Sequence, residues 1–244
     1  GWAGKINLIY IDPPFFTGAD FTVRTKIGDE QIEKEPSIIE ERAYKDTWSG
    51  GIASYLKYMY ERLVLMRELL AENGSIYVHL DWHVGHYVKV MMDEIFGYEN
   101  FRNEIVWYYR RWTAESDRFQ NMHDVILYYC KNPEKVIFNK VELPARDYLF
   151  KRKEKGWNSN TIRTATGKIR QLLVYDKEAF TQAVAIGRIN PAEWDRVVYA
   201  EERTVAAPDV FEIPFINPIA DERLGFDTQK PEALLKRIIL ASSN

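Results

Sequence analysis

The 244 residues carry a formal net charge of −3, with 46% hydrophobic and 28% charged side chains, an ordinary globular balance that suits one large domain or one domain with an insertion. The single cysteine, Cys130, excludes a disulfide framework and a cysteine-rich zinc site, and it fits a reducing, cytoplasmic compartment. No apolar run reaches the length of a membrane span, and no signal peptide is visible.

The first residue is Gly rather than Met, and "INLIYI" (6–11) follows at once, too short and too β-branched for a helix. It reads as a buried strand, and so early a strand suggests an excised piece of a longer chain. From Phe16 to Asp46 the sequence is polar with little periodicity, the signature of a long loop with short elements beside a strand end. Leu56, Met59, Tyr60, Leu63, Met66, Leu69 and Leu70 then recur at helical spacing, with Ser54 as the N-cap and Gly74 at C′. "SIYVHLD" (75–81) reads as a second buried strand that again ends in Asp. "HYVKVMMDEIFG" reads as a helix stopped by Gly97. "NEIVWYYR" and "HDVILYYC" read as two further strands, pairing as an antiparallel hairpin at the sheet edge.

Strand, helix, strand, helix and further strands make an α/β layered sheet. Residues 145–215 break the rhythm and read as an inserted module. Residues 216–244 return to the first domain (1–144) through a turn, Pro231 at the first helical position, and a helix with Leu234, Leu235, Ile238 and Ile239 on one face.

The chemistry gathers at "DPPF", where the first strand ends. Ligands of open α/β sheets bind beyond the carboxyl ends of the strands. Pro13 and Pro14 fix two φ angles and remove two N–H donors, leaving carbonyls that only accept. Asp12 adds a charged acceptor and Phe15 a flat apolar face. Such a corner suits an exocyclic amine on a flat ring. Two acceptors gripping its hydrogens draw the nitrogen toward tetrahedral geometry and stabilise the positive charge that develops on attack. A base paired in a duplex must be flipped out to reach it, and Phe15 is the stacking platform.

"DPPF" after an apolar strand resembles motif IV of the S-adenosylmethionine-dependent amino-methyltransferases of DNA. "GSIYVHLDWHVGHYVKVMMDEIFG" (74–97), "NFRNEIVW" (100–107) and "HDVILYYCKN" (123–132) resemble successive segments of that family, and "TQKPEALLKRIILASS" (228–243) resembles motif X. The order is similar to the β class, which includes modification subunits of type III restriction systems. The resemblance implies a partial Rossmann-like methyltransferase fold, its catalytic half, with a target-recognition insertion at 145–215. It also implies S-adenosyl-L-methionine as cofactor, double-stranded DNA as substrate, and a restriction subunit or second methyltransferase copy as partner. By that resemblance Asp12 and the Pro13 carbonyl hold the target amine, Phe15 stacks on the base, Asp12 and Pro14 border the methyl donor, and Gln229 and Lys230 lie near the cofactor. Lys230 also precedes a helix N-terminus, where a carboxylate binds well. No G-x-G occurs anywhere in the chain. The family's glycine-rich cofactor loop is therefore expected beyond Asn244, and the 244 residues alone are expected to bind S-adenosylmethionine poorly.

Arg146, Lys151, Arg152, Lys153, Lys155, Arg163, Lys168 and Arg170, against Asp147 and Glu154, give a local basic excess interleaved with Tyr148, Phe150 and Trp157. Cations for phosphates and aromatics for stacking are what DNA contact needs. "HLDWHVGH" groups His79, Asp81, His83 and His86, but a strand end followed by a helix start explains them better than a metal does. Asp81, Asp46 and Trp48 are candidates to line the cleft. The sequence thus points to transfer of a methyl group to a base amine, adenine N6 with cytosine N4 as the alternative. The rival is a fragment that grips DNA or a partner without catalysis. Methylation of a protein glutamine amide uses a related Asn-Pro-Pro-aromatic site, and Asp in place of Asn speaks against it.

Overall fold

The computed structural model describes residues 1–17, 24–27, 30–33, 48, 50–111, 115–144, 156–199, 204–217, 220–225 and 228–243. These form two compact units, Gly1–Asn139 with Pro208–Asn244, and Lys140–Ala207. The sequence reading had run the insertion from 145 to 215.

The larger unit is built on a five-stranded mixed sheet. Its strands are β1 (Ile6–Ile11), β4 (Leu70–Leu80), β5 (Phe101–Tyr108), β6 (His123–Cys130) and β12 (Val210–Glu212), in the order β1-β4-β6-β5-β12. A separate two-stranded ladder joins β2 (Arg24–Ile27) and β3 (Glu30–Glu33). β1 runs parallel to β4, and β12 runs parallel to β5. β6 lies antiparallel to both β4 and β5, so the expected hairpin forms. It is not the edge, however, because β12 extends the sheet beyond β5. Three residues inside a mixed segment gave no periodic signal for that strand. β1 takes the other edge and is only half-buried, where a fully buried strand was expected.

Alternation along the strands sends side chains to two layers. On one face Ile76, Val78, Leu80, Leu127 and Tyr129 pack against helices α1 (Gly51–Leu69) and α2 (Gly85–Phe96). On the other, Tyr77, Ile105, Trp107, Ile126, Tyr128 and Phe211 pack against Leu234 and Ile238 of the last helix of the chain, α4 (Glu232–Ser242). A further helix, α3 (Lys177–Ala185), belongs to the smaller unit. The result is an α/β sandwich compatible with a methyltransferase fold. No helix among the described residues is long and apolar enough to cross a membrane.

Several local expectations change. Gly50, not Ser54, stands at the N-cap of α1, and the Ser54 hydroxyl bonds back to the Gly51 carbonyl at 2.9 Å. The buried face of α1 is Tyr55, Met59 and Leu63, while Tyr60 and Leu69 are exposed. α1 passes straight into β4, so Gly74 sits within a strand rather than at a helix end. A register shift opposite Ile6–Leu8 brings the backbone close there, and a Cβ on Gly74 would meet the Ile6 carbonyl oxygen at 2.8 Å. Gly97 ends α2 at φ 95°, a conformation that favours glycine. In α4, Pro231 is the N-cap rather than the first helical residue, and Ile239 faces solvent while Ala241 and Ser242 are buried.

The smaller unit has its own core of Leu172, Val174, Phe180, Ala183 and Ile189. β8 (Trp157–Thr164) and β9 (Gly167–Val174) form a hairpin, and β10 (Arg196–Tyr199) runs parallel to β9. α3 (Lys177–Ala185) lies between them in sequence, capped by Asp176, which accepts from the Ala179 amide at 3.0 Å. β7 (Glu142–Pro144) and β11 (Thr204–Ala206) pair antiparallel where the chain enters and leaves the unit.

Candidate active site

Polar groups collect at the carboxyl ends of β1, β4 and β5, on the face that carries α4. Leu8, Tyr10 and then Asp12 alternate onto this face from β1, as do Tyr77, His79 and Asp81 from β4 and Ile105, Trp107 and Tyr109 from β5. Antiparallel β6 brings Asp124 to the same end. The location is where an open sheet holds its ligands.

Asp12 emerges just past β1 with its side chain 23% exposed, so its carboxylate is within reach of a ligand. Its Oδ2 is held by the Lys230 ammonium. The corner was expected to offer acceptors only, and the structure places this strong donor in it. Oδ1 stands 3.6 Å from Nδ1 of His79. Phe15 lies with its ring centroid 5.6 Å from that of His79 and 6.0 Å from the Lys230 nitrogen. The next residue, Phe16, takes φ 62°, a left-handed conformation that costs a non-glycine residue about 1 kcal/mol or more. Its side chain packs on the α1 side of the sheet, 6.1 Å from Tyr55. Consecutive Phe residues therefore go to opposite sides: Phe16 anchors the turn in the core, and Phe15 is left beside Asp12.

His79 is fully buried. Its Nδ1 is 2.8 Å from the Tyr10 hydroxyl and its Nε2 is 3.1 Å from Oδ2 of Asp124, whose Oδ1 accepts from Tyr109 at 2.9 Å. Burial alone would raise the Asp124 pKa. The hydrogen bond to His79 and the charge that ring can carry, then the Tyr109 hydrogen bond and the charge of Lys230, outweigh it and hold the carboxyl below its usual range. Burial first, and then the charges of Asp12 and Asp124, push the Tyr10 hydroxyl well above the usual tyrosine range, so it keeps its proton at neutral pH. Tyr109 is raised as well, by burial and by Asp124.

A cavity of about 360 Å³ opens beside this network, lined by Phe15, Trp107, Tyr109, Asp124, Gln229 and Lys230 among others. Trp107 is fixed there by donating its indole N–H to the Ile213 carbonyl at 2.7 Å. Gln229 lines the cavity, but its amide is committed to the preceding turn. Its oxygen accepts from Leu224 N at 2.8 Å and its nitrogen donates to the Glu222 carbonyl at 2.7 Å. The N-terminus of α4 holds a carboxylate of the chain itself, since Glu222 accepts from Glu232 N at 3.1 Å.

The other candidates fall in different places. Asp81 and His83 pair with each other, the His83 amide donating to Oδ1 at 2.9 Å and the ring lying 2.5 Å from Oδ2. Trp48 packs edge-on against Tyr55 and Tyr58 in the core, and Asp46 lies outside the described residues. In the smaller unit Trp157 packs on Phe180 at 6.1 Å. Arg163 is exposed and pairs in register with exposed Lys168 across the hairpin. Lys151, Arg152, Lys153 and Lys155, with Tyr148 and Phe150, lie outside the described residues.

Sequence reasoning missed Tyr10, Trp107, Tyr109 and Asp124, and it read His79 only as the end of a strand. One signal was present: Asp124 stands second, after His123, in a strand that is apolar from Val125 on, and a carboxylate drawn into a sheet needs a partner.

Residues 6–244 match the profile of a family described as DNA methylase. Among curated proteins, Type II methyltransferase M.EcaI of Enterobacter cloacae is 36% identical over 60% of this chain and 29% of its own length. The type III restriction-modification enzyme StyLTI Mod subunit of Salmonella typhimurium is 26% identical over 98% of this chain and 43% of its own. DNA adenine methyltransferase YhdJ of Escherichia coli is 24% identical over 99% of this chain and 62% of its own. The chain therefore spans less than two thirds of the length of each.

Proposed function

The chain belongs to the DNA methylase family, and from that premise we propose that it is the catalytic part of a cytoplasmic, site-specific methyltransferase that moves a methyl group from S-adenosylmethionine to N6 of a flipped adenine. The observation that carries this reading is the corner of Asp12, Pro13 and Phe15 at a strand's carboxyl end, of which Phe15, with the Asp12 partner Lys230, lines a cavity walled by aromatic rings. A relative named as a DNA adenine methyltransferase supports adenine over cytosine.

Oδ2 of Asp12 is committed to Lys230, so Oδ1 is the oxygen that grips the amine, together with the Pro13 carbonyl. Phe15 covers the ring. The amine nitrogen, its lone pair exposed by the two acceptors, attacks the methyl carbon; the cofactor supplies that electrophilic methyl. The donor set suits one end of S-adenosylmethionine: the Lys230 ammonium for its carboxylate, and Asp12, Pro14 and Phe15 for its sulfonium. Gln229 supports that wall by bracing the turn at 222–224.

The exposed pair of Arg163 and Lys168 places like charges directly opposite one another, which disfavours the hairpin on its own. A phosphate backbone relieves that repulsion, so these residues, with Lys151, Arg152, Lys153, Lys155 and Trp157, form the DNA contact in this reading. A restriction subunit or a second methyltransferase copy is the partner. Methyl incorporation into DNA by the full-length protein, followed by mass-spectrometric identification of the base, tests the proposal. N6-methyladenine is expected. N4-methylcytosine would move the target atom, and no incorporation would overturn the reading.

A further inference from the structure

Transfer to an amine creates a problem that the Asp12 corner does not solve. As the C–N bond forms, the C–S bond of the sulfonium donor breaks and its electron pair stays on sulfur. The nitrogen is left cationic and must shed one N–H proton, whose bonding pair returns to nitrogen. A carboxylate is a weak base, and Oδ2 of Asp12 is already occupied by the Lys230 ammonium.

We propose, on the footing of the function above, that His79 is the proton acceptor behind Asp12, taking the proton from Oδ1 onto Nδ1, with Asp124 stabilising the imidazolium that results. The tautomer follows from its partners. Asp124 is ionised at neutral pH and can only accept, so Nε2 of His79 carries the hydrogen. Nδ1 is then a bare lone pair. Tyr10 keeps its proton and donates it to that lone pair at 2.8 Å, which holds Nδ1 unprotonated until a proton arrives from the Asp12 side, 3.6 Å away. Once Nδ1 is protonated, the Tyr10 hydroxyl rotates from donor to acceptor and the ring stays bonded on both sides.

The charged and titratable groups around the ring come from every neighbouring element. They are Tyr10 and Asp12 from β1 and its end, Asp124 from β6, Tyr109 beyond β5 on the far oxygen of Asp124, Asp81 at the end of β4, and Lys230 before α4. The ring is buried and edged by Trp107 at 5.4 Å and Phe15 at 5.6 Å, so water does not take the proton directly.

The test has two arms, both on the full-length protein. In the first, ¹⁵N-histidine NMR of the wild type without cofactor reads the tautomer: Nε2–H with bare Nδ1 is expected for His79 from its two hydrogen-bond partners. Nδ1–H with bare Nε2 overturns the inference, even if no variant folds. In the second, single-turnover methyl transfer is followed against pH. His79→Gln should slow transfer on the order of 100-fold and abolish the fall in rate toward acid pH, with DNA affinity unchanged. Asp124→Asn should move that acid limb rather than abolish it. A folded His79→Gln protein with wild-type rate and pH profile overturns the inference and leaves the function standing. Absence of transfer by the wild type overturns both.

Discussion

Asp12→Asn changes a single atom and tests the acceptor corner directly. The side chain keeps its shape, but one oxygen becomes an NH2 that opposes a substrate N–H. In the proposed reaction the lost interaction is a charge-assisted bond to a nitrogen that becomes positive in the transition state. Removing one such preorganised group costs about 2.7–4 kcal/mol, or roughly 100- to 1,000-fold in rate. The same change removes the ion pair with Lys230. That pair is partly open, at 15% and 23% side-chain exposure, so the loss of stability is about 1 kcal/mol after allowance for solvent screening. The fold survives, and the rate effect is not an unfolding effect. Single-turnover methyl incorporation by the full-length protein reads the rate, and fluorescence anisotropy of labelled DNA reads binding. A DNA Kd within about threefold of wild type is expected beside the large rate loss, because the proposed DNA contact rests on cations elsewhere. A rate within tenfold of wild type would refute the role of Asp12.

Other outcomes follow from the same geometry. Asp124 is held ionised by its folded-state partners, so its contribution to stability is complete above about pH 4 and is lost as pH falls through its depressed pKa; urea denaturation from neutral to acid pH should show Asp124→Asn flattening that acid slope. Gln229→Ala removes two hydrogen bonds that close the 222–224 turn, and thermal unfolding should register a loss of about 1–2 kcal/mol. Met92→Ala, fully buried between α2 and the sheet, should cost about 2–5 kcal/mol in the same assay without altering DNA affinity. Arg163→Ala should weaken DNA binding almost equally for all sequences and lower the salt slope by about one.

The larger unit was largely legible because its strands are long and apolar and its helices are periodic. "INLIYI", "SIYVHL" and "HDVILYYC" each give the strand they promised. β12 escaped notice because three residues carry no period; a parallel neighbour makes Val210–Glu212 a strand. The smaller unit was read only as an insertion, although the Ala165-Thr166-Gly167 turn and the Asp176 cap marked a hairpin and a helix. In the candidate site, Asp12 and Phe15 stood out because Pro13 and Pro14 interrupt a strand. His79, Asp124, Tyr10 and Tyr109 did not, since each is one residue of an ordinary strand and they meet only through register. Lys230 was read toward the helix N-terminus, yet it turns back to Asp12, 218 positions away in sequence. No local pattern encodes a contact across that separation.

Residues 142–144 and 204–206 are zipped together, and Ala207 N donates to the Val141 carbonyl at 2.9 Å just outside the zipper. The smaller unit therefore leaves and re-enters the chain through one closed clasp, and lengthening what lies beyond it costs little entropy, because the ends are already joined. A clasp of this kind makes the intervening segment an exchangeable cassette. Swapping it for another of different length should leave the sheet of the larger unit folding as before.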